Sequence, residues 1–502
     1  MMSASLDPSA SEEHVVNEFG YRQELRRTLR LFSVFSVAFS IISITTGIFL
    51  NFSFGISELG PVSIWTWPVA AVGQTLVVLV LAELATRIPL AGANYQWAAR
   101  LVGPTYGWFV GALGVLNLSV GLPGIMLLAA APLSEYVLGD DAPSPRLTLF
   151  LALAILTLAY LTNVISVQVA ARVNNIAVFT EILGTVVLAV ALFVLWVAGY
   201  KQTDHGIGYL GHAMHPPGQS YWYAIVLASL LGIYTIVGFE TAADMSEEAV
   251  DAQRSVPRAM IGAVVISAVL GMVVLIGFTI AIPSDAVFAA GGLPGVFQYW
   301  IGSGLARTFV GVVVFSMFAL TVVGGAASAR LLFAMARDNM LPGSKALARV
   351  NPKTLTPLPA LLTSYLLCVA VMIYGYNSGN AFGTLVGATA LAPYLVYLLT
   401  VIAYGAKRRR LETLSGAFNL GRFAVPVFAA SLLWLVAAVL ALSLPAEFHK
   451  AVYYVVGGLV LATLWWLFAL RPRFAQGTAG PAMVRDVAGR DTTAGAPSPT
   501  GR

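Results

Sequence analysis

Long apolar stretches separated by short polar segments recur along almost the whole chain. Each stretch is about 20 residues long, which is the length that a helix needs to cross a lipid bilayer. We number them spans 1 to 12, and they lie near residues 32–54, 61–83, 104–131, 147–166, 176–198, 221–244, 258–282, 306–335, 358–376, 381–404, 424–444 and 450–470. The pattern predicts an all-α polytopic membrane protein with twelve transmembrane helices.

Two of the twelve spans carry helix-weakening residues in the middle of the apolar run. Residues 40–50 in span 1 read SIISITTGIFL, and residues 232–243 in span 6 read GIYTIVGFETAA. Glycine disfavours a helix by about 1 kcal/mol relative to alanine. Interrupted helices at equivalent positions in two halves of a membrane protein indicate a solute site near the midplane, where unwound backbone offers its polar groups. The pattern therefore favours a secondary transporter.

The composition agrees with a membrane protein that carries no cofactor. The 502 residues are 58% hydrophobic and 10% charged, whereas a soluble domain has about 25% charged residues. A single cysteine, Cys368, excludes an intramolecular disulfide, and no Cys/His cluster has the spacing of a metal site. The first 20 residues are polar and acidic without an apolar core, so we expect no cleavable signal peptide and a retained span 1.

Basic residues are distributed unequally between the two ends of the predicted spans. An even number of spans places both termini on one side, and 24 of the 28 Lys and Arg residues fall on that side. The opposite side has only Arg146, Lys201, Arg307 and Lys450. By the positive-inside rule both termini are cytoplasmic, in a multi-pass protein of the plasma (cell inner) membrane. This distribution also means that the net charge of +5 does not indicate a nucleic-acid partner.

Polar tails flank the predicted bundle. Residues 1–17 are rich in Ser and acids, and residues 473–502 are rich in Gly, Ala, Pro and Thr, so both are predicted to be disordered cytoplasmic tails around a transporter domain at 18–472. The basic segment 18–30, EFGYRQELRRTLR, is partly amphipathic. It either lies along the inner membrane interface or is a solvated leader to span 1.

The two interruptions concentrate the candidate binding groups. Hydroxyl side chains cluster beside Gly47 in span 1, and an aromatic residue, a glycine and an acid follow one another in span 6. These residues are Ser43, Thr45, Thr46, Tyr234, Gly238 and Glu240. Asn117 of span 3 is a further polar candidate for the pocket. The alternative for span 1 is ordinary helix packing, and the alternative for Tyr234 is a core aromatic rather than a cap over a bound solute.

Two acidic residues lie within the spans. A charge near mid-membrane costs at least about 2.5–3.5 kcal/mol, so such residues usually face a cavity and serve function. Glu240 either pins the broken span 6 or takes part in coupling. Glu181 in span 5 has no Lys or Arg three or four residues away and is the candidate for binding and releasing a coupled proton. Its alternative is a carboxyl that reaches the inner interface.

Mixed charge follows span 6 in the stretch SEEAVDAQRSVPRAM. It predicts cytoplasmic gating pairs, for example Arg254 with Glu247 or Asp251. The alternative is a solvated loop, because surface ion pairs are individually weak.

Five segments of the chain match a known superfamily in order. They are GYRQELRRTLRLFSVFSVAFSIIS at 20–43, TTGI at 45–48, AELATRIPLAGANYQWAARLVGP at 82–104, VGFETAADMSEEAVDAQRSVPRAM at 237–260 and RLLFAMARDNMLP at 330–342. On these segments the chain resembles permeases of the amino acid–polyamine–organocation superfamily. Within it, the amino acid/choline transporter family, which includes GABA permeases, is the best match. The resemblance covers nearly all of residues 18–472.

The resemblance implies a LeuT-like fold with 5+5 inverted repeats at about 32–198 and 221–404 and discontinuous helices 1 and 6. Spans 11 and 12, at 424–470, would be peripheral. It also implies that Thr45, Thr46 and Gly47 bind a substrate carboxylate.

By the same resemblance, carbonyls around Ile236 and Phe239 bind the substrate's amine, and Tyr234 serves as an outer gate. Glu181 falls where some proton-coupled relatives carry a lysine in place of a sodium ion, which supports coupling to protons. The chain departs from its relatives at Ile236, where they often have Phe, and in the Ala-Gly-Ala after span 2, where they often have two adjacent glycines.

Taken together, these features predict an importer of a small amino acid or related amine, GABA-like or other, coupled to protons. Its partners would be that solute, protons and the lipid bilayer; the sequence carries no signal of oligomeric state. No catalytic constellation and no Walker-type loop is present in the sequence, so an enzyme is not expected. An amino acid exchanger, a choline-like cation carrier and a non-transporting membrane sensor on the same fold stay open as alternatives.

Overall fold

The protein is described here by a computed structural model. It describes residues 16–139, 144–377, 381–411, 414 and 416–481. All regular secondary structure within these residues is helical. The one strand-like contact among them is an isolated bridge between Leu29 and Ala249.

Eleven helical segments of the described residues are long and apolar enough to cross a membrane. They are Leu31–Leu59, Pro61–Arg87, Pro104–Glu135, Pro145–Ile165, Val167–Val197, Ala252–Ile280, Asp285–Arg337, Leu358–Tyr376, Thr389–Arg409, Gly421–Ala441 and Ala446–Ala475. These segments contain spans 1 to 5 and 7 to 12. Span 6 is not among them because it is broken into Tyr221–Thr235 and the short helix Thr241–Asp244.

Local sequence signals place several helix starts. Pro104 and Pro145 stand at the first position of their helices, where the missing N–H costs nothing. Serine side chains cap three helices, including the one that begins at Pro145: Ser144, Ser166 and Ser284 each accept a hydrogen bond from the backbone N–H three residues later.

Two helices differ in length from the predicted spans. Span 5 begins at Val167 rather than near residue 176, so Glu181 lies about four turns inside the helix. The helix Asp285–Arg337 has non-helical backbone at Gly292 and Gly302, so the predicted span 8 corresponds to its part after Gly302.

Burial separates a central group of spans from a peripheral one. Spans 1, 2 and 8 are the most buried, and spans 11 and 12 are the least buried. The two broken spans therefore meet in the interior. Here Gly47 of span 1 lies so close to span 6 that a Cβ atom on it would overlap the Thr235 side chain.

Both ends of the described chain pack on one face of the bundle, which we call the terminal face. Tyr21 donates a hydrogen bond to Asp338 Oδ1 (2.5 Å), and Gly480 N donates to the Asp338 carbonyl (2.8 Å). Residues 16–30 thus pack on the protein, as does the part of the predicted C-terminal tail up to residue 481. Residues 1–15 and 482–502 lie outside the described part of the chain.

Candidate functional site

The break in span 1 lies at Ser43, one turn before Gly47. The helix Leu31–Ile42 ends there and Ile44–Leu59 begins, with Ser43 in the left-handed region (φ 36°, ψ 82°). The Ser43 hydroxyl accepts a hydrogen bond from Thr46 N (3.3 Å). Serine is a favoured N-cap residue, so it starts the second half-helix while ending the first.

The break in span 6 is longer. The helix Leu230–Thr235 ends at Ile236, and regular helix returns only at Thr241. Gly238 has φ 86°, and a Cβ atom on it would overlap Ile41 of span 1. Glycine is required at this position both by the backbone conformation and by the approach of the two broken spans.

A cavity of about 90 Å³ lies between the two breaks. Five of the residues predicted to bind substrate line it: Thr46, Gly47, Asn117, Tyr234 and Gly238. The remaining wall is mostly apolar and comes from spans 1, 3, 6, 8 and 10: Ile41, Ile42, Leu118, Gly121, Leu122, Ile125, Thr235, Val237, Leu320, Thr389 and Pro393. The cavity combines the helix ends of both breaks with a few polar side chains.

Three other predicted residues lie beside the cavity without lining it. Thr45 faces span 5, where its hydroxyl is 2.5 Å from that of Thr185. Ile236 and Phe239 are fully buried, and Phe239 stacks on Tyr397 with ring centroids 5.2 Å apart. Their buried side chains pack the break in span 6 against the protein interior.

Glu181 of span 5, a span that does not line the cavity, contacts the break in span 1. Its side chain is buried, and Oε1 accepts hydrogen bonds from Ser43 Oγ (2.9 Å) and Thr45 N (3.1 Å). Among the described residues it forms no ion pair with Lys or Arg. The carboxyl thus occupies the N-terminal end of the half-helix Ile44–Leu59, where the helix dipole favours negative charge. The next two residues of that half-helix, Thr46 and Gly47, face the cavity.

Glu240 borders a second cavity of about 60 Å³, which shares Ile41, Asn117, Leu118, Gly238 and Pro393 with the first. It accepts a hydrogen bond from the Tyr397 hydroxyl, and that hydroxyl accepts one from Gly238 N (2.7 Å). Asp244 lines this cavity as well. Tyr397 of span 10 was not identified from the sequence, because its contacts join residues about 160 positions apart and no local pattern records them.

Two buried ion pairs close the terminal face between spans 6 and 8. Arg337 donates to both carboxylate oxygens of Glu247 (2.8 and 3.1 Å), and Arg330 donates to Glu248 Oε1 from Nε (2.8 Å). Of its two predicted partners, Arg254 pairs with Asp251 (3.9 Å) and not with Glu247, and this pair is exposed.

The N-terminal segment lies across these pairs. The Arg337 guanidinium is 3.7 Å from the Tyr21 ring centroid, and Gln23 Nε2 donates to the Glu247 carbonyl (2.7 Å). Burial, together with the neighbouring Asp338 carboxylate, raises the pKa of Tyr21 well above its usual value. The phenol therefore keeps the proton that it donates to Asp338, and the segment is fastened to span 8.

Comparisons with known proteins agree with this architecture. The model of the family described as amino acid permease matches residues 29–468. The amino-acid permease BAT1 of Arabidopsis thaliana is 29% identical over 91% of this chain and 95% of its own length. Its homolog in Oryza sativa subsp. japonica is 27% identical over 91% and 94%. The GABA-specific permease of Saccharomyces cerevisiae is 27% identical over 73% and 66%. The chain therefore belongs to the amino acid permease family and is a membrane transport protein of the amino acid–polyamine–organocation superfamily.

Proposed function

We propose that the protein is a secondary active transporter that imports a small amino acid or related amine together with protons. The observation that carries the proposal is the position of Glu181 at the N-terminal end of a half-helix whose first turn also lines the cavity, through Thr46 and Gly47. A substrate carboxylate bound at Thr46 and Gly47 would approach the same helix end as the Glu181 carboxylate. Because two like charges at one site repel, substrate binding would favour protonation of Glu181.

The opposite pole of the site suits an amine. The helix Leu230–Thr235 ends at the cavity, and the C-terminal end of a helix carries partial negative charge. An ammonium group placed there would bind the free carbonyl groups of that helix end. A carboxylate placed at the start of Ile44–Leu59 would bind the free N–H groups of the other. The carbonyls around Ile236 and Phe239 are the proposed acceptors, and Tyr234 on the cavity wall is the proposed outer cover.

The membrane arrangement that goes with this function has twelve spans, with span 6 crossing as two half-helices. We propose LeuT-like inverted repeats formed by spans 1–5 and 6–10. We also propose that the terminal face is cytoplasmic and that the membrane is the plasma membrane. In this arrangement the ion pairs of Arg330 and Arg337 close the cytoplasmic exit.

A carrier of organic cations is the second candidate, and one observation favours it. The second cavity is lined by the carboxylates of Glu240 and Asp244, with no Lys or Arg among its described lining residues. A quaternary amine without a carboxylate could use these acids and the aromatic ring of Tyr234. It would not engage the helix end that holds Glu181.

Reconstitution into liposomes separates these candidates. Radiolabelled amino acids, GABA and choline are offered with and without an inward proton gradient, and with sodium replaced by potassium. We expect accumulation of a carboxylate-bearing amine that depends on the proton gradient and not on sodium. Sodium-dependent uptake, or uptake of choline alone, would contradict the proposal.

A further inference from the structure

A row of buried serines runs along one face of the first half of span 1. Ser36, Ser40 and Ser43 are spaced by four and three residues and so lie on one side of the helix. All three are buried. The hydroxyls of Ser36 and Ser40 have no hydrogen-bond partner among the described residues, whereas many other hydroxyls in these helices, such as that of Thr235, bond to the carbonyl four residues back.

Hydrogen bonds at both ends show which helix this row faces. Ser43 donates to Glu181 (2.9 Å), and Ser33, three residues before Ser36, accepts from Asn175 Nδ2 (3.1 Å). Glu181 and Asn175 both belong to span 5. The unpartnered hydroxyls of Ser36 and Ser40 therefore lie between two contacts with that span.

Asn174 of span 5 is a second unpartnered group in the same region. Its side chain is 1% exposed, and neither its nitrogen nor its oxygen has a partner among the described residues. It lines a cavity of about 30 Å³ together with Val37 of span 1 and the Glu248–Arg330 pair. Glu248 Oε2 is also unpartnered. Most of the cavity wall is apolar. The cavity is nevertheless larger than the volume of about 10–15 Å³ that a water molecule needs, and the unpartnered atoms of Asn174 and Glu248 offer such a water polar partners. Buried polar atoms are nearly always hydrogen-bonded to protein or water.

This cavity lies between Glu181 and the terminal face. Asn174 precedes Glu181 by seven residues of one continuous helix, which is about 10 Å and nearly two full turns, so both side chains lie on the same side. On its other side the cavity reaches Glu248, a member of one of the two closing ion pairs. Burial raises the pKa of Glu248, although Arg330 opposes this effect.

We propose that Ser36, Ser40 and Asn174, with water in the Asn174 cavity, form the route by which the proton on Glu181 leaves toward the terminal face. The inference rests on the proton coupling proposed above. The Glu181 O–H bond breaks and its proton passes to a neighbouring oxygen. Each hydroxyl or water then accepts a proton from one side and releases its own to the other, ending at Glu248 or bulk water. The carboxylate left behind keeps its bonds to Ser43 Oγ and Thr45 N.

The charged surroundings of Glu181 leave this route free of a competing cation. Spans 1, 4, 7 and 8 pack on span 5. Apart from Glu181, the charged groups of these helices and of span 5 itself are Glu58, Arg146, Arg172, Arg254, Arg258, Asp285, Arg307, Arg330 and Arg337. Arg330 is paired with Glu248 at the cavity. None of the arginines in this set forms an ion pair with Glu181.

The route is tested with Asn174→Leu, which keeps the side-chain size but removes the polar groups, and with Ser40→Ala. Thr180→Val, on the exposed side of span 5, is the matched control. In liposomes, proton-driven net uptake is compared with substrate exchange at equal pH, and internal pH is followed with a trapped dye. We expect Asn174→Leu to lower net uptake and proton entry roughly a hundredfold, the lower end for losing a proton relay, because the amide no longer holds the water that passes the proton on. Exchange, which needs no release of the proton, should stay near wild type.

Two results would overturn the route. One is wild-type net uptake in both Asn174→Leu and Ser40→Ala. The other is an equal loss of exchange and net uptake in protein that still binds substrate, because that pattern indicates a structural role. Asn174→Ser, which stays polar and leaves room for water, should recover most of the net uptake. If wild-type protein itself shows no proton-driven uptake, the proposed function fails along with the route.

Discussion

At the scale of single residues, Gly47 in the broken span 1 has a packing role that the sequence alone does not show. Gly47 was predicted to weaken span 1, yet the helix breaks at Ser43 and continues through Gly47. Gly47 allows close contact between spans 1 and 6, because the Thr235 side chain occupies the space that a side chain at position 47 would need. Helix propensity can be judged from the sequence, whereas this contact joins residues far apart along the chain.

Gly47→Ala should therefore impair transport through packing. The added methyl group would overlap Thr235, and overpacking in a core costs about 1–3 kcal/mol. We expect a lower unfolding temperature and reduced uptake, with partial recovery in Gly47→Ala/Thr235→Ala. Gly457→Ala is the control, because nothing lies within 4 Å of that site. Unchanged uptake and stability in Gly47→Ala would show that the two spans do not meet there.

Tyr397 is the residue that holds the break in span 6, so Tyr397→Phe should loosen it. The change removes the hydroxyl that joins Glu240 to Gly238 N while keeping the ring stacked on Phe239. We expect a higher KM and a lower unfolding temperature, with an unchanged shape of the pH profile, and the same pattern in Glu240→Gln. A pH profile that changes in Glu240→Gln would instead assign the coupled proton to Glu240.

At the scale of helices, continuous apolar runs were enough to place the eleven described segments that are long and apolar enough to cross a membrane, because length and hydropathy are local properties. Details set by other helices were not predictable. The exact break at Ser43 depends on the Glu181 carboxyl from span 5, and the partner of Glu247 is Arg337 rather than Arg254. Segment 18–30, predicted either to follow the membrane interface or to stay solvated, packs on the terminal face through Tyr21, a contact with Asp338 that no local pattern records.

Opening of the terminal face should follow the loss of the Arg337–Glu247 pair. Removing one partner of a buried ion pair costs about 3–5 kcal/mol because the other charge is left alone. In a Cys368→Ala background, a cysteine at Thr241, which lines the second cavity, should react faster with an impermeant thiol reagent from the terminal side in Arg337→Ala. Arg254→Ala is the exposed control. Equal labelling rates would mean that this pair does not close the exit.

At the scale of the whole molecule, the chain brings both described ends to one face, where most of its basic residues were also predicted to lie. Asp338 binds the N-terminal segment through its side chain and the C-terminal segment through its carbonyl. The cytoplasmic orientation that we propose for this face rests on the charge distribution alone.

Labelling of intact cells tests that orientation. A tag at either terminus should be protected from external reagents, while His205→Cys in a Cys368→Ala background should react, because residue 205 lies in the loop between spans 5 and 6. External labelling of a terminal tag would require a different number of membrane crossings.

Proton-driven accumulation by Glu181→Gln in liposomes tests whether the Glu181 carboxyl carries the proton that is coupled to substrate. Wild-type uptake should rise as external pH falls, because the substrate is carried with the protonated carboxyl. Glutamine imitates that form permanently and can still bond with Ser43 and Thr45. We therefore predict that Glu181→Gln retains substrate binding and exchange but loses accumulation against a gradient and its dependence on pH. Full accumulation with an unchanged pH profile in Glu181→Gln would show that Glu181 does not carry the coupled proton.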